Sequence, residues 1–310
     1  MYRRLIEVIA SHPGLVDILN RIEHTPKPTI LFAGVQFLMM GEGGSDLARY
    51  YPSLSDDPTD DGVEEAFVEF VLAHEESLVE IGRTRYTQTN ECRRCVALLS
   101  GVWATRASEF HLVDIGTSAG LNLLLDRYRY LLGRLEWGPE SPVMLTTDLR
   151  SGRVEPRPVE ILSRTGIDLH PVDPSNPDDA RWLDALIWPE NHDRRRRLRS
   201  ALGLANQEPM RLVAGDVLEV LPDELSRIPG DEPVVVMNSF ILNQLTHRGR
   251  ERVAAIIEAH RTRRPIYRVS CEWLDPEDAG AAIEVDNGSG LSRVGLAHPH
   301  GDWIELYARP

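Results

Sequence analysis

Lysine is almost missing from this chain. Lys27 is the only one, and it lies between prolines in Thr25-Pro26-Lys27-Pro28-Thr29. No other lysine exists to hold pyridoxal phosphate as a Schiff base, and no Gly-Lys-Ser/Thr triplet exists to cradle a triphosphate. Cysteine is scarce too. Cys92, Cys95 and Cys271 are too few for a disulfide framework. Cys92-x-x-Cys95 has no second pair to complete the four ligands of a structural zinc, so it reads as two helix thiols and no metal is expected. No apolar run approaches the ~18 residues of a membrane span. The N-terminal MYRRLIEVIASHPG lacks the apolar stretch and small-residue cleavage site of a signal peptide. These absences lead to the expectation of a cytoplasmic protein with no membrane partner. Basic charge is in deficit: 34 Lys and Arg stand against 48 Asp and Glu, a net charge of −14. Broad nucleic-acid binding needs a basic surface and is therefore not expected.

The charge that is present is segregated. Asp56 to Glu80 holds ten acids and no Lys or Arg, and Arg194–Arg197 with Arg199 forms a basic run. Each is expected to be a solvated helix face. Residues 1–105 read as a helical region. LFAGVQFLMM (31–40) suits a core helix, and residues 62–82 carry Phe67, Val71 and Leu78 near a 3.6 period. The loop Gly41–Asp61 separates them. From about residue 106 to 310 strands and helices alternate. Strands are expected at Leu112–Ile115, Glu160–Ile167, Arg211–Ala214, Val234–Met237 and Ile266–Cys271. Helices are expected at 117–132, 178–187, 217–225, 242–261 and 276–282. The alternation implies an α/β fold: a doubly wound, Rossmann-like, mostly parallel sheet ending in an antiparallel hairpin. Two insertions interrupt it, a small hairpin at 139–156 and a helical segment at 173–210.

Ligands of doubly wound sheets bind beyond the carboxyl ends of the strands, so the strand ends carry the chemistry. The first expected strand runs into Asp114-Ile115-Gly116-Thr117-Ser118-Ala119-Gly120. A strand, a glycine-flanked turn and a helix would aim N–H groups and a positive helix end at one point. The second strand ends at Asp168, which can accept from ribose hydroxyls. The third ends at Gly215-Asp216, where Asp216 can accept from an adenine amino group. The fourth ends at Asn238-Ser239, over the reacting end of the cleft.

Asp114-x-Gly116-x-x-x-Gly120, GIDLHP and Gly215-Asp216 make residues 111–310 resemble class I S-adenosylmethionine-dependent methyltransferases. The resemblance implies S-adenosylmethionine as cofactor, held by Asp114, Gly116, Ser118, Gly120, Asp168 and Asp216, and methyl transfer to a small-molecule acceptor. The pattern departs from that family at Ser118, where a glycine is usual, and in the 48 residues between Gly120 and Asp168, where about 20 are usual. Nearly the whole chain is also similar to an uncharacterised bacterial family, a domain of unknown function. That similarity rests on TRYTQTNE (84–91), GTSAGLNLLLDRYRY (116–130), GIDLHPVD and DDARWLDALIWPE within 166–190, and HPHGDW (298–303).

Around the cofactor, Arg85, Asn90, Glu91 and Asn238 are candidates for acceptor binding, and Glu272 or His300 for a general base, with Trp303 nearby in the tail. Two other readings stay open. The chain can bind S-adenosylmethionine or S-adenosylhomocysteine without catalysis. Alternatively, Gly116-x-Ser118-x-Gly120 is the nucleophile elbow of a serine hydrolase, with His298 or His300 as base and Gly41-Glu42-Gly43-Gly44 as oxyanion loop. The oligomeric state is not legible.

Overall fold

The computed structural model describes residues 1–42 and 45–307 and divides the chain into two compact units. One comprises Met1–Thr89 and Asp173–Arg199. The other comprises Asn90–Val172 and the chain from Ser200 onward. Among the described residues no helix is long and apolar enough to cross a membrane.

The first unit is helical. It contains α1 (Tyr2–Ser11), α2 (Pro13–Arg21), α3 (Lys27–Glu42), α4 (Val63–Ala73) and α5 (Glu75–Thr84). The amphipathic stretch expected to be one helix is thus two. They meet at His74, whose backbone leaves the helical region and whose ring stacks on Phe70. The unit's core includes Leu5, Leu15, Ile18, Ile30 and Phe67, all inaccessible to solvent.

At the centre of that core is a polar knot. The Gln36 amide donates to Tyr2 Oη (2.9 Å) and to the carbonyls of Ala185 (2.8 Å) and Ile187 (3.0 Å). Its oxygen accepts from Arg195 (3.0 Å) and Ser53 (3.1 Å). Arg195 also pairs with Asp184 at 2.7 Å. Arg195 is therefore buried, contrary to the expected solvated face. A buried guanidinium needs its charge matched, which Asp184 does, while Nη2 donates to Gln36 and to the Ile187 carbonyl.

The second unit opens with α6 (Cys95–Thr105), every residue of which is buried. Strand β1 (Glu109–Ile115) follows, then a 3-10 turn at Leu121–Leu124. Next come β2 (Arg129–Leu132), β3 (Leu135–Trp137), β4 (Met144–Ser151) and β5 (Glu160–Asp168). The amphipathic helix expected over 121–132 does not form. Side chains take the carbonyls that such a helix would use. Tyr128 Oη donates to Leu121 O (2.7 Å), and Tyr130 donates to Leu125 O. Arg164 of β5, itself buried, reaches the Leu123 carbonyl and grips the Asp126 carboxylate with both nitrogens, at 2.9 and 2.8 Å. Periodicity cannot reveal partners so distant in sequence.

In the first unit α7 (Pro177–Ala185) packs on α3, and α8 (His192–Ala205) leads back. The sheet resumes with β6 (Arg211–Ala214), α9 (Val217–Arg227), β7 (Val234–Ser239), α10 (His247–His260) and β8 (Ile266–Glu272). It closes with β9 (Ala281–Asp286), β10 (Leu291–Ala297) and β11 (Trp303–Leu306). The 276–282 segment expected as a helix is a turn that runs into β9. The 139–156 segment is not a hairpin: β4 pairs in parallel with both β2 and β11.

The strand order is β3-β2-β4-β11-β10-β9-β8-β7-β1-β5-β6. The run β6-β5-β1-β7-β8 is parallel throughout. Strands β8 to β11 form an antiparallel meander, which contains the expected final hairpin. The result is a mixed α/β fold with a large, mostly parallel sheet. Within the parallel run the chain visits positions in the order 3-2-1-4-5, so strand order reverses between β1 and β7. On one face Val113, Ile115, Val234 and Val236 meet α9 and α10. The opposite face receives α6, which packs on β8, β9 and β10.

That second contact is close enough to exclude a side chain. A Cβ on Gly101 of α6 would lie 2.4 Å from Val269 Cγ1 of β8. Gly203 of α8 has nothing within 4 Å of the same position. Gly101→Val is expected to destabilise by about 3 kcal/mol through overpacking. Gly203→Ala should be neutral or stabilise by about 0.5–1 kcal/mol. Thermal unfolding of both variants checks the α6–sheet contact; a Gly101→Val melting temperature equal to wild type would contradict it.

Candidate functional site

The crevice where strand order reverses lies beyond the carboxyl ends of β1 and β7, and four features meet there. The first is Asp114, the penultimate residue of β1. It is completely buried, and neither carboxylate oxygen has a hydrogen-bond partner among the described residues. Burial raises its pKa from 3.8 to about 8. That value already includes an upward push from the Asp168 charge and partial opposition from the Thr117 hydroxyl and the Arg94 charge.

The second feature is the loop after β1. Gly116 and Gly120 adopt left-handed φ of 76° and 74°. A Cβ there would meet Ile241 at 2.8 Å and Met210 Sδ at 2.6 Å, so both positions require glycine. Ser118, not glycine, also has a positive φ, 49°. The loop's N–H groups are all used internally. Gly116 N and Thr117 N donate to Ile167 O (2.8 and 3.2 Å), and Gly120 N donates to Thr117 O (2.9 Å). Ser118 N donates to Asp168 Oδ2 (2.9 Å), and Ala119 N donates to Asn90 Oδ1 (3.3 Å). Only a 3-10 turn follows. The expected convergence of free N–H groups and a helix end on an anionic ligand group is therefore not built, because Ile167, Asp168 and Asn90 take the donors.

The third feature is the segment Asn90–Arg94. The Asn90 amide donates to Ser118 Oγ at 2.9 Å. Glu91 is buried and accepts from Arg93 N (3.1 Å). Arg94 lays its guanidinium over the Phe240 ring at 4.2 Å and donates Nε to Pro299 O (3.1 Å). Arg93 pairs with Asp302, and Gly301 (φ 74°) leaves no room for a Cβ against the Arg93 carbonyl. The HPHGDW turn is thus fastened to Arg93 and Arg94. The chain enters this unit at Asn90 and leaves it at Val172, and both residues bond to Ser118, since Val172 N donates to Ser118 O at 3.1 Å.

The fourth feature is the end of β7 and β8. Phe240 has a positive φ of 55°, a second strained residue beside the crevice. Asn238 donates to Ser270 Oγ (2.9 Å) and Glu272 Oε1 (2.8 Å). Glu272 Oε1 also accepts from the N–H groups of Ile241 (2.9 Å) and Leu242 (3.1 Å). Burial raises the Glu272 pKa, and these donors oppose it. One oxygen of Glu272 thus fastens the loop after β7, while Oε2 has no hydrogen bond.

The remaining candidates are placed as follows. Asp168 accepts from Ser118 N and, through Oδ1, from His170 N (2.9 Å). Asp216 is exposed and caps α9 by accepting from Leu218 N at 2.8 Å. Arg85 belongs to the helical unit, where it pairs with Asp179 and lies over Phe37. His300 is exposed in the turn, 5.9 Å from the His298 ring. Trp303 packs with Ala282 and Leu296. Ser118 bonds to Asn90, Asp168 and Val172. Gly43 and Gly44 of the suggested oxyanion loop lie outside the described residues. Sequence reasoning missed Arg94, Phe240 and Thr117. Only the double arginine after Thr89-Asn90-Glu91-Cys92 offered a signal, and nothing in its pattern distinguished it from surface charge.

Asp114 makes stability depend on pH. Its folded pKa lies above its unfolded value, so the folded chain binds more protons between about pH 4 and 8. This group's contribution therefore falls as pH rises through that window, by at most roughly 1.4 kcal/mol per pH unit. Urea unfolding at several pH values between 5 and 8 is expected to show wild type losing stability relative to Asp114→Asn as pH rises. A constant difference between the two would contradict the assignment.

Asp114, Asn90, Ser118, Asp168, Arg94 and Asn238 thus converge on one strand-end crevice, while Asp216 caps α9 and Arg85 pairs with Asp179 in the helical unit. No curated protein matches the chain significantly. Over residues 1–306 the chain matches, and so belongs to, the bacterial family described as "Uncharacterized protein conserved in bacteria (DUF2332)".

Proposed function

We propose that the sheet unit is a doubly wound, Rossmann-like domain that binds S-adenosylmethionine at the crevice between β1 and β7 and transfers its methyl group to a small-molecule acceptor. The observation that carries this reading is Asp114. A fully buried carboxylate with no partner is costly unless a cation joins it. S-adenosylmethionine has both an ammonium and a sulfonium. The loop supports the same choice. Its five N–H groups are committed within the protein, which argues against a phosphate-bearing dinucleotide and is compatible with a cofactor that has no phosphate.

In this reading Asp114 takes the ammonium. Asp168, whose oxygens retain lone pairs beyond the bonds to Ser118 and His170, takes the ribose hydroxyls. Ser118 and Asn90 fix the loop between them. When bound, the cofactor supplies an electrophilic methyl group. The protein's work is then to orient the acceptor and exclude water. Arg94 on Phe240 and the turn at Pro299 would form the acceptor wall. Glu272 Oε2 is the acceptor oxygen free to take a proton. A second reading, cofactor binding without catalysis, is favoured by the way Glu272 Oε1 is already spent on the loop after β7.

Isothermal titration calorimetry is the test. Binding that needs ionised Asp114 should tighten by up to about tenfold per pH unit between pH 5.5 and 7.5. Asp114→Asn should weaken binding by ~1.5–3 kcal/mol at pH 7.5 and flatten the pH dependence. Asp216→Ala should leave it nearly unchanged. Absence of heat and of thermal shift with both S-adenosylmethionine and S-adenosylhomocysteine would overturn the proposal. Ser118→Ala should alter affinity only modestly. A fluorophosphonate that labels Ser118 would restore the hydrolase reading.

A further inference from the structure

A cleft lies in the sheet unit away from the strand-end crevice, at the other end of α6. It consists of two adjacent cavities, of about 220 and 450 Å³, with Ala104, Val294 and Tyr307 in the walls of both. Trp103, Val154 and Leu306 give the smaller part apolar walls, and Tyr307 is 44% exposed. Three arginines stand around it: Arg153 beside the smaller part, Arg106 and Arg293 beside the larger. Arg293 is neutralised by Asp278 at 2.8 Å. Arg106 and Arg153 have no ion pair among the described residues. Arg106 directly follows α6 and offsets the negative end of that helix. Arg153 has no such neighbour. Glu155 is the one acidic residue of the lining, and it lies 4.0 Å from Arg157.

We propose that this cleft binds an amphipathic anion, a carboxylate or sulfonate on an aromatic or aliphatic body, with the body against Ala104, Val294 and Tyr307 and the charge at Arg153. Three points carry the assignment. The two cavities together are of the size that holds small ligands. Trp103, Ala104, Val154, Val294, Leu306 and Tyr307 give the cleft an apolar side among polar groups, with Arg153, Arg106 and Arg293 beside it, the pattern that fits such a molecule. Its local charge is opposite to that of a chain whose net charge is −14, so the rim is a local attractor for anions on a surface that otherwise repels them. The site is separate from the strand-end crevice. Helix α6 spans Cys95 to Thr105, roughly 15 Å along its axis at 1.5 Å per residue, and its first residues lie at the Asn90–Arg94 segment.

The test is fluorescence titration of the full chain with 1-anilinonaphthalene-8-sulfonate, followed by competition with decanoate and decylamine. The dye should saturate one site, and decanoate should displace it while decylamine does not. Arg153→Glu is expected to weaken the dye by about tenfold or more, and Arg106→Glu by less, because Arg106 is partly spent on the helix end. Both side chains are exposed, so circular dichroism spectra should match wild type. Unchanged dye affinity in Arg153→Glu, or displacement by decylamine as effective as by decanoate, would overturn the proposal. Displacement of the dye by S-adenosylhomocysteine would place it in the strand-end crevice and overturn the cleft assignment while leaving the cofactor reading intact.

Discussion

A carboxylate held without a hydrogen bond in the interior is the constraint around which the strand ends are arranged. Asp114 lies on β1 at the point where strand order reverses, and neither of its carboxylate oxygens has a hydrogen-bond partner among the described residues. Burial keeps it protonated near neutrality. Packing alone would be better served by an apolar residue of similar size. What makes sense of the carboxyl group is a ligand that supplies positive charge. Two of the three non-glycine residues with positive φ, Ser118 and Phe240, lie in the loops that follow β1 and β7, the two strands that border the same crevice. Strain of that kind persists only where surrounding bonds over-determine the backbone. Here Asn90, Asp168 and Val172 hold one residue. The other is held by the Arg94 guanidinium and by its own N–H to Cys271 O.

Segment Asn90–Arg94 is the common support. Five consecutive residues connect the loop after β1, the end of β7 and the HPHGDW turn. This explains why short, widely separated stretches of sequence look distinctive: they are contact partners. It also gives His298 and His300 a defined place beside Arg94 without making either a base. The histidine turn is fixed by Arg93, through Asp302, and by Arg94, and within the turn His298 Nδ1 lies 3.1 Å from the same Asp302 carboxylate.

Much of the parallel sheet was legible in the sequence. Strands β1, β5, β6, β7 and β8 fall on apolar runs whose carboxyl ends are marked by Asp114, Asp168, Gly215-Asp216, Asn238 and Glu272. Such runs between turn residues are strong local signals. What was not legible depended on distant partners. Leu121–Leu132 has helical periodicity, but Arg164 and the two tyrosines divert its carbonyls. Arg195 sits in a run of charge that looks solvated, yet Gln36 and Asp184 bury it. Asp216 resembles a ligand residue and proves to be a helix cap, because both roles ask for an acid at a strand–helix junction. Arg94 and Phe240 left no pattern, since a cation over a ring between segments so far apart has no spacing to detect.

The central claim is that Asp114 awaits a cation, and its own titration is the most direct measurement. Carbon-13 NMR of aspartate-labelled protein, with Asp114→Asn to assign the signal, follows that carboxyl group alone. The account predicts a titration near pH 8 in the free protein. Saturating S-adenosylmethionine should lower it by about two units or more, as an adjacent positive charge does. A carboxyl group that titrates in the ordinary aspartate range when free, or whose titration the cofactor leaves unmoved, would contradict it.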